Sequence, residues 1–110
     1  MVRSKSEVIV ADALFDAEIR YRYEVDLKLS NGVTVHPDFT IYDDDWQPIF
    51  YWEHLGMLQK EDYRKKWDIK RKSYEENGII EGKNLIISRD GLDGSINSQE
   101  IDRLIALIQA

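Results

Sequence analysis

Apolar residues recur at helical spacing near the start of the chain, where Val8, Ala11, Leu14 and Phe15 follow Ser4 and Glu7. Ser4 with an acid three residues later has the form of a capping box, so the pattern predicts a first helix from about Lys5 to Ala17. The period then changes to two. Tyr21, Tyr23, Val25, Leu27 and Leu29 alternate with Arg22, Glu24, Asp26 and Lys28, which predicts a strand with one apolar face. Ser30-Asn31-Gly32 turns the chain into a second alternating strand, Val33 to Tyr42, in which Pro37 predicts a kink or bulge. After the polar connection Asp43 to Pro48, the aromatic and branched run Ile49 to Leu55 predicts a third strand, ended by Gly56. A long helix is expected from about Gln59 to Asn77, closed by Gly78. A short buried strand at Leu85 to Ile87 follows, and then a last helix, opened by Asn97 and Glu100, that carries Ile101, Leu104, Ile105 and Ile108. The order is αβββαβα, an α/β domain built on a mixed, mainly antiparallel four-stranded sheet flanked by helices. No repeat or linker divides it, so residues 1–110 are expected to form one domain.

Register between the strands can be estimated by keeping apolar residues opposite apolar ones. A three-residue loop at Ser30-Asn31-Gly32 sets Leu29 opposite Val33, Leu27 opposite Val35, Val25 opposite Pro37 and Tyr23 opposite Phe39. On the other face it sets Glu24 opposite Asp38. A symmetric six-residue loop at Asp43 to Pro48 pairs Tyr42 with Ile49, Ile41 with Phe50, Thr40 with Tyr51, and Asp38 with Glu53. Directly opposed side chains stand about 5 Å apart at Cβ, where two carboxylates repel unless a positive charge sits between them. Mg²⁺ is often held by one or two carboxylates plus water and phosphate, so Asp38 and Glu53 suit a divalent cation. They could equally be solvated residues on an open sheet face. Glu53, however, lies in the apolar run Ile49 to Leu55, where an unpaired charge is costly.

The formal charge of -6 argues against a nucleic-acid partner only as an average. Lys60 to Lys72 holds seven basic residues against three acidic ones, a local +4 that leaves -10 elsewhere. This could be an ordinary solvated helix or a basic face. With no cysteine, disulfides, thiolate metal sites and cysteine nucleophiles are excluded. No apolar run approaches the roughly 20 residues of a membrane span, and the amino terminus lacks the apolar stretch of a signal peptide, so a cytoplasmic protein is expected. His36 and His54 are expected on opposite sides of the sheet and do not make a zinc site. Arg89 to Glu100 has EF-hand spacing at Gly94 and Glu100 but offers Arg89 and Gly91 where the loop needs oxygen ligands. No phosphate-binding glycine loop or serine elbow is present.

Pro37-Asp38, fourteen intervening residues and then Glu53 on the next strand, within an αβββαβ order, resemble the restriction-endonuclease-like core of the PD-(D/E)XK nuclease superfamily. The segments Arg3 to Glu7, Pro37 to Ile41 and Tyr51 to Gly56 are similar to RecB-like and bacterial helicase-associated members. The resemblance implies that Asp38, Glu53 and the carbonyl of His54 bind Mg²⁺ or Mn²⁺. It also implies a motif lysine at position 55, where this chain has Leu55. Some members supply that function from the following helix, on which Tyr63, Trp67, Lys70 and Tyr74 form one stripe. Lys70 is either a stem lying along Trp67 or the group that reaches the metal site. Lys70 with Tyr74 resembles the Gln-xxx-Tyr helix motif of RecB-like nucleases. Glu7 is either a capping residue or an acid near the metal, and Glu24 a helper acid or a partner for a base.

The resemblance therefore implies a metal-dependent DNA endonuclease of low sequence specificity, acting in DNA repair, recombination or helicase-linked processing. Asp38, Glu53, Lys70 and Glu7 are its expected catalytic groups, and Arg64, Lys66, Lys70 and Tyr74 its DNA contacts. A helicase or a larger parent protein is an expected partner, with the domain a monomer or homodimer. The alternative is an inactive nuclease-fold module for DNA binding or protein interaction.

Overall fold

The computed structural model describes residues 4–110, so Arg3 of the Arg3 to Glu7 segment lies outside the described residues. The chain forms α1 (Lys5–Asp16), β1 (Arg20–Tyr23), β2 (Leu27–Lys28), β3 (Thr34–Val35), β4 (Phe39–Tyr42), β5 (Pro48–Leu55), α2 (Glu61–Glu76), β6 (Leu85–Arg89) and α3 (Ser98–Gln109). A four-stranded mixed sheet runs in the order β1-β4-β5-β6, antiparallel except for β5 beside β6. This is the α/β architecture expected, with the C-terminal helix added to an αβββαβ core.

Both long strands of the expected first hairpin are broken. Glu24 takes a left-handed φ of 51°, and Pro37, fully buried, has no N–H to give the ladder. The last link between the strands is the Glu24 N–H donating to the Asp38 carbonyl at 3.2 Å. Beyond it the chain pairs again as the separate β2-β3 ribbon, so Val25 and Pro37 are not ladder partners. The ribbon keeps the expected register, Leu27 opposite Val35, and its turn keeps Gly32 at φ 85°. Leu29, Val35 and Leu27 then pack beside α2 rather than extending the main sheet.

Between β4 and β5, Ile41 faces Phe50 and Thr40 faces Tyr51 as expected, but Tyr42 faces Pro48 instead of Ile49. A bulge between Ile41 and Tyr42 absorbs the difference, and the turn closes with the Asp43 N–H on the Gln47 carbonyl at 2.9 Å. β6 runs two residues past Ile87, and α2 begins at Glu61 with no side-chain cap at Lys60.

The sheet divides the core in two. On one face α1 and α3 pack Val10, Leu14, Ile101 and Ile105 against Phe39, Ile41 and Trp52. On the other, α2 lays Tyr74, Trp67 and Tyr63 over Leu55, Leu85 and Ile87. Alternation along β5 thus sends Trp52 and His54 toward α1, and Tyr51, Glu53 and Leu55 toward α2. Among the described residues, no helix is long and apolar enough to cross a membrane.

Candidate active site

Asp38 and Glu53 converge where β4 stops pairing with β5. The ladder ends at Phe39 opposite Trp52, so the next residues outward, Asp38 and Glu53, share the face that α2 covers. They line a cleft of about 370 Å³ whose walls include Glu7, Glu24, Tyr63, Lys66 and Lys70. The Asp38 to Glu53 juxtaposition expected from register is present, although a single His54-Asp38 contact replaces the ladder there: the His54 N–H donates to Asp38 Oδ2 at 2.7 Å.

The backbone of His54 points the right way for the role that the resemblance implies. Tyr51 donates its N–H to the Asn84 carbonyl and Leu55 accepts from the Asp90 N–H, so the odd residues of β5 turn their peptide groups to β6. The even residues therefore turn theirs to β4, and at position 54 the β4 ladder has already ended. The His54 carbonyl thus lies on the Asp38 side of the strand.

Glu53 is 3% exposed, and two groups from α2 satisfy it. Lys70 Nζ stands 2.7 Å from Glu53 Oε2, and the Tyr74 hydroxyl donates to the same oxygen at 2.5 Å. The ammonium also donates to the His36 carbonyl at 3.1 Å and lies 6.0 Å from the Tyr74 ring. The Lys70 stem therefore does not end in solvent: its ammonium turns inward to the Glu53 carboxylate. Burial, and then the Glu53 charge, pushes the Asp38 carboxyl up to about 8. Burial and the Glu53 carboxylate also push the Tyr74 hydroxyl far up, so it is a hydrogen-bond donor at any working pH.

Glu7 caps α1 and also lines the cleft. Its N–H donates to Ser4 Oγ at 3.1 Å, the expected cap, while its carboxylate accepts from Tyr23 Oη at 2.5 Å at the cleft wall. Tyr23 had no signal beyond its place in an alternating strand. Lys66 lines the cleft; Arg64 is exposed on α2 and does not. The basic stretch is less free than its charge suggests, because Lys65 pairs with Glu61 and Arg71 with Asp68 and Glu75.

A second polar network, missed in the sequence, lies behind the cleft. His54 places Nδ1 2.6 Å from Ser88 Oγ and Nε2 2.7 Å from Asp90 Oδ1. Ser88 Oγ accepts from the Trp52 indole at 2.9 Å, and Asp90 Oδ1 accepts from the Ser6 hydroxyl at 2.7 Å. The imidazole therefore sits on the face opposite Glu53, well away from His36, whose Nε2 pairs with Asp26 at 2.8 Å. Ser88 and Asp90 stand two apart just after an apolar run, the one pattern that could have revealed them.

Among the described residues no three ligating side chains gather closely enough to form a metal site on their own. What the cleft offers is two carboxylates and the side of a strand that carries one backbone carbonyl. All are hard oxygen donors of the kind Mg²⁺ or Mn²⁺ takes with water completing the shell. The Lys70 ammonium already occupies a cation's place beside Glu53.

No known protein-family pattern matches the chain. The uncharacterised protein MJ1519 of Methanocaldococcus jannaschii is 32% identical over 121 residues, an alignment that takes in 98% of this chain and 10% of that protein. A chain in the cryo-EM structure of a DrdV–DNA complex superposes with a TM-score of 0.58 at 20% identity, over 93% of this chain and 11% of that one. The chain thus spans about a tenth of the length of each of these two proteins, and it shares its fold with a segment of the chain in the DrdV–DNA complex.

Proposed function

We propose that the chain is a metal-dependent DNA nuclease domain of the PD-(D/E)XK type. The observation that carries the reading is the pair Asp38 and Glu53, brought from adjacent strands into one cleft with the Lys70 ammonium between strand and helix. The fold shared with a segment of a protein solved on DNA supports DNA as the substrate. In this reading Asp38, Glu53 and the His54 carbonyl hold Mg²⁺ or Mn²⁺. When bound, such an ion lowers the pKa of the attacking water and offsets charge on the scissile phosphate.

The chain's own groups then have distinct tasks. Asp38 must give up its proton for the site to load, and the His54 N–H holds its Oδ2 in place. Lys70, paired with Glu53, takes over in this reading the task of the lysine missing at position 55, and serves to orient the water or to neutralise charge developing on the phosphate. Tyr74 fixes the rotamer of Glu53. Glu7, held by Tyr23, is an acid at the cleft wall that can take a proton from water. Lys66 at the rim and Arg64 further out on α2 contact the DNA backbone. Nothing in the cleft offers a base-reading edge, so low sequence specificity is the expectation.

Leu55 favours a second reading, because at this position on the cleft wall the chain has an apolar side chain, 3% exposed and packed into the core, and no ammonium. In that reading the chain is an inactive DNA-binding or protein-interaction module, and the Lys70–Glu53 ion pair is a seal. One assay separates the two. Supercoiled plasmid and single-stranded DNA are incubated with Mg²⁺ or Mn²⁺, with Asp38→Ala as the control. Metal-dependent cutting abolished by the substitution supports the nuclease. Cutting that survives it, or no cutting with any metal while DNA still binds, overturns it.

A further inference from the structure

Trp46 is a large aromatic residue, 47% exposed, at the tip of the β4-β5 hairpin. It occupies a left-handed backbone position, φ 59°, where glycine or asparagine would sit without strain. Arg20 and Arg22, two apart on β1 and so on one face, lie 4.9 and 5.1 Å from the centroid of its ring. Tyr42 leans on the ring at 5.4 Å, and Arg22 also covers Tyr42 at 5.6 Å. The ring is thus laid over a cationic floor, with about half of the side chain turned to solvent.

This floor and the cleft lie on the same side of the sheet. Arg22 pairs in register with Thr40 and Tyr51, and Arg20 with Tyr42. Asp38, Thr40 and Tyr42 alternate onto the same side of β4, so the path from Asp38 to Tyr42 is about 13 Å at the usual strand rise. That length matches about four nucleotides at the ~3.4 Å spacing of a stacked strand.

We infer that Trp46 is a stacking platform for an unpaired nucleobase, with Arg20 and Arg22 taking the adjoining phosphates of a single strand that leads into the cleft. The choice of DNA rests on the function proposed above; the choice of a single strand rests on this cluster. A base can cover the open face of an indole only when it is unstacked, and stacking of this kind is indifferent to sequence. Arg20 Nη1 donates to the Asp44 carbonyl at 2.7 Å, which holds that guanidinium beside the ring, so its other N–H groups and those of Arg22 are what a phosphate would meet in a chain of net charge -6. The exposed acids Asp44 and Asp45 at the tip repel a strand running further, so contacts end at Trp46. Asp43 is already occupied, accepting from the N–H groups of Asp45 and Gln47.

The test is binding of a fluorescent oligo(dT) of about a dozen nucleotides, and of a duplex of the same length, in EDTA, so that cleavage plays no part. Trp46→Leu keeps an apolar side chain at the tip without a ring; Trp46→Tyr keeps a ring. We expect Trp46→Leu to weaken single-strand binding roughly tenfold or more, Trp46→Tyr to retain most of it, and duplex binding to change little in either. Thermal melts of both variants report whether the hairpin still folds. Equal single-strand affinity for Trp46→Leu and the parent overturns the inference, as does an equal loss for both probes or a parent that does not bind the single strand. Because no metal is present, stacking at Trp46 in a chain that never cuts would sink the nuclease reading alone. Cutting with Trp46 irrelevant to binding would sink this one alone.

Discussion

The ammonium of Lys70 stands 2.7 Å from a carboxylate oxygen of Glu53 whose side chain is 4% exposed, so α2 supplies the charge that β5 lacks at Leu55. A carboxylate buried this far is costly unless a positive charge and hydrogen bonds meet it. If the cleft acts as proposed, the pairing ties the stability of the fold and the reaction to the same atom.

Lys70→Met removes that charge but keeps the stem. It leaves Glu53 with Tyr74 as its remaining partner from α2, so the metal-free protein is expected to lose roughly 1–3 kcal/mol, less than the about 3–5 kcal/mol of a fully buried pair because Lys70 is 28% exposed. Saturating Mn²⁺ should restore most of the stability and little of the cleavage rate. Denaturant melts with and without metal, set beside turnover, check this; a variant that cuts like the parent removes Lys70 from the reaction.

Tyr74→Phe deletes the hydroxyl that donates to Glu53 Oε2 and leaves the ring in the core. A hydrogen bond to a buried charged group is worth about 1.5–3 kcal/mol, and that loss is expected at neutral pH. A double-mutant cycle with Glu53→Gln measures it. Additive effects of the two substitutions would show that the contact carries no coupling.

Asp38 gives the fold a pH signature. In the unfolded chain its carboxyl titrates near 3.8, whereas in the metal-free fold burial and Glu53 raise it to about 8. Between those values the fold holds a proton that the unfolded chain has lost, so this residue subtracts stability as pH climbs from about 4 to about 8. Asp38→Asn still accepts from the His54 N–H but cannot ionise. In EDTA above about pH 8 it should melt several degrees higher than the parent, with the gap closing toward pH 4. A variant less stable than the parent at high pH would contradict the assignment.

The same proton opposes metal. Apparent Mn²⁺ affinity is expected to rise about tenfold per pH unit until Asp38 ionises near 8, and then to level off. Calorimetric titrations in buffers of different ionisation enthalpy should detect about one proton released per ion below that point. No release would mean that Asp38 is not displaced from its protonated form by the cation.

Much of this was legible in the chain, and the reasons are specific. Alternation plus two turns put Thr40 opposite Tyr51 and carried Asp38 to the side of Glu53, because a one-residue slip would have exposed Phe39 and Trp52. The i, i+3, i+4 stripe put Lys70 and Tyr74 over that pair. What the pattern could not show were departures from regular backbone. The left-handed Glu24 and Trp46 and the bulge at Tyr42 have no glycine to announce them. The network of His54, Ser88, Asp90 and Ser6 joins residues up to 84 positions apart, on elements whose neighbourhood depends on a parallel crossover.

The most direct measurement is an anomalous difference map from crystals soaked in Mn²⁺ above about pH 8, where Asp38 is ionised. The account predicts one peak between the Asp38 and Glu53 carboxylates on the side of the His54 carbonyl, with Lys70 released from Glu53. No peak there, with Lys70 still seated on Glu53, would contradict it.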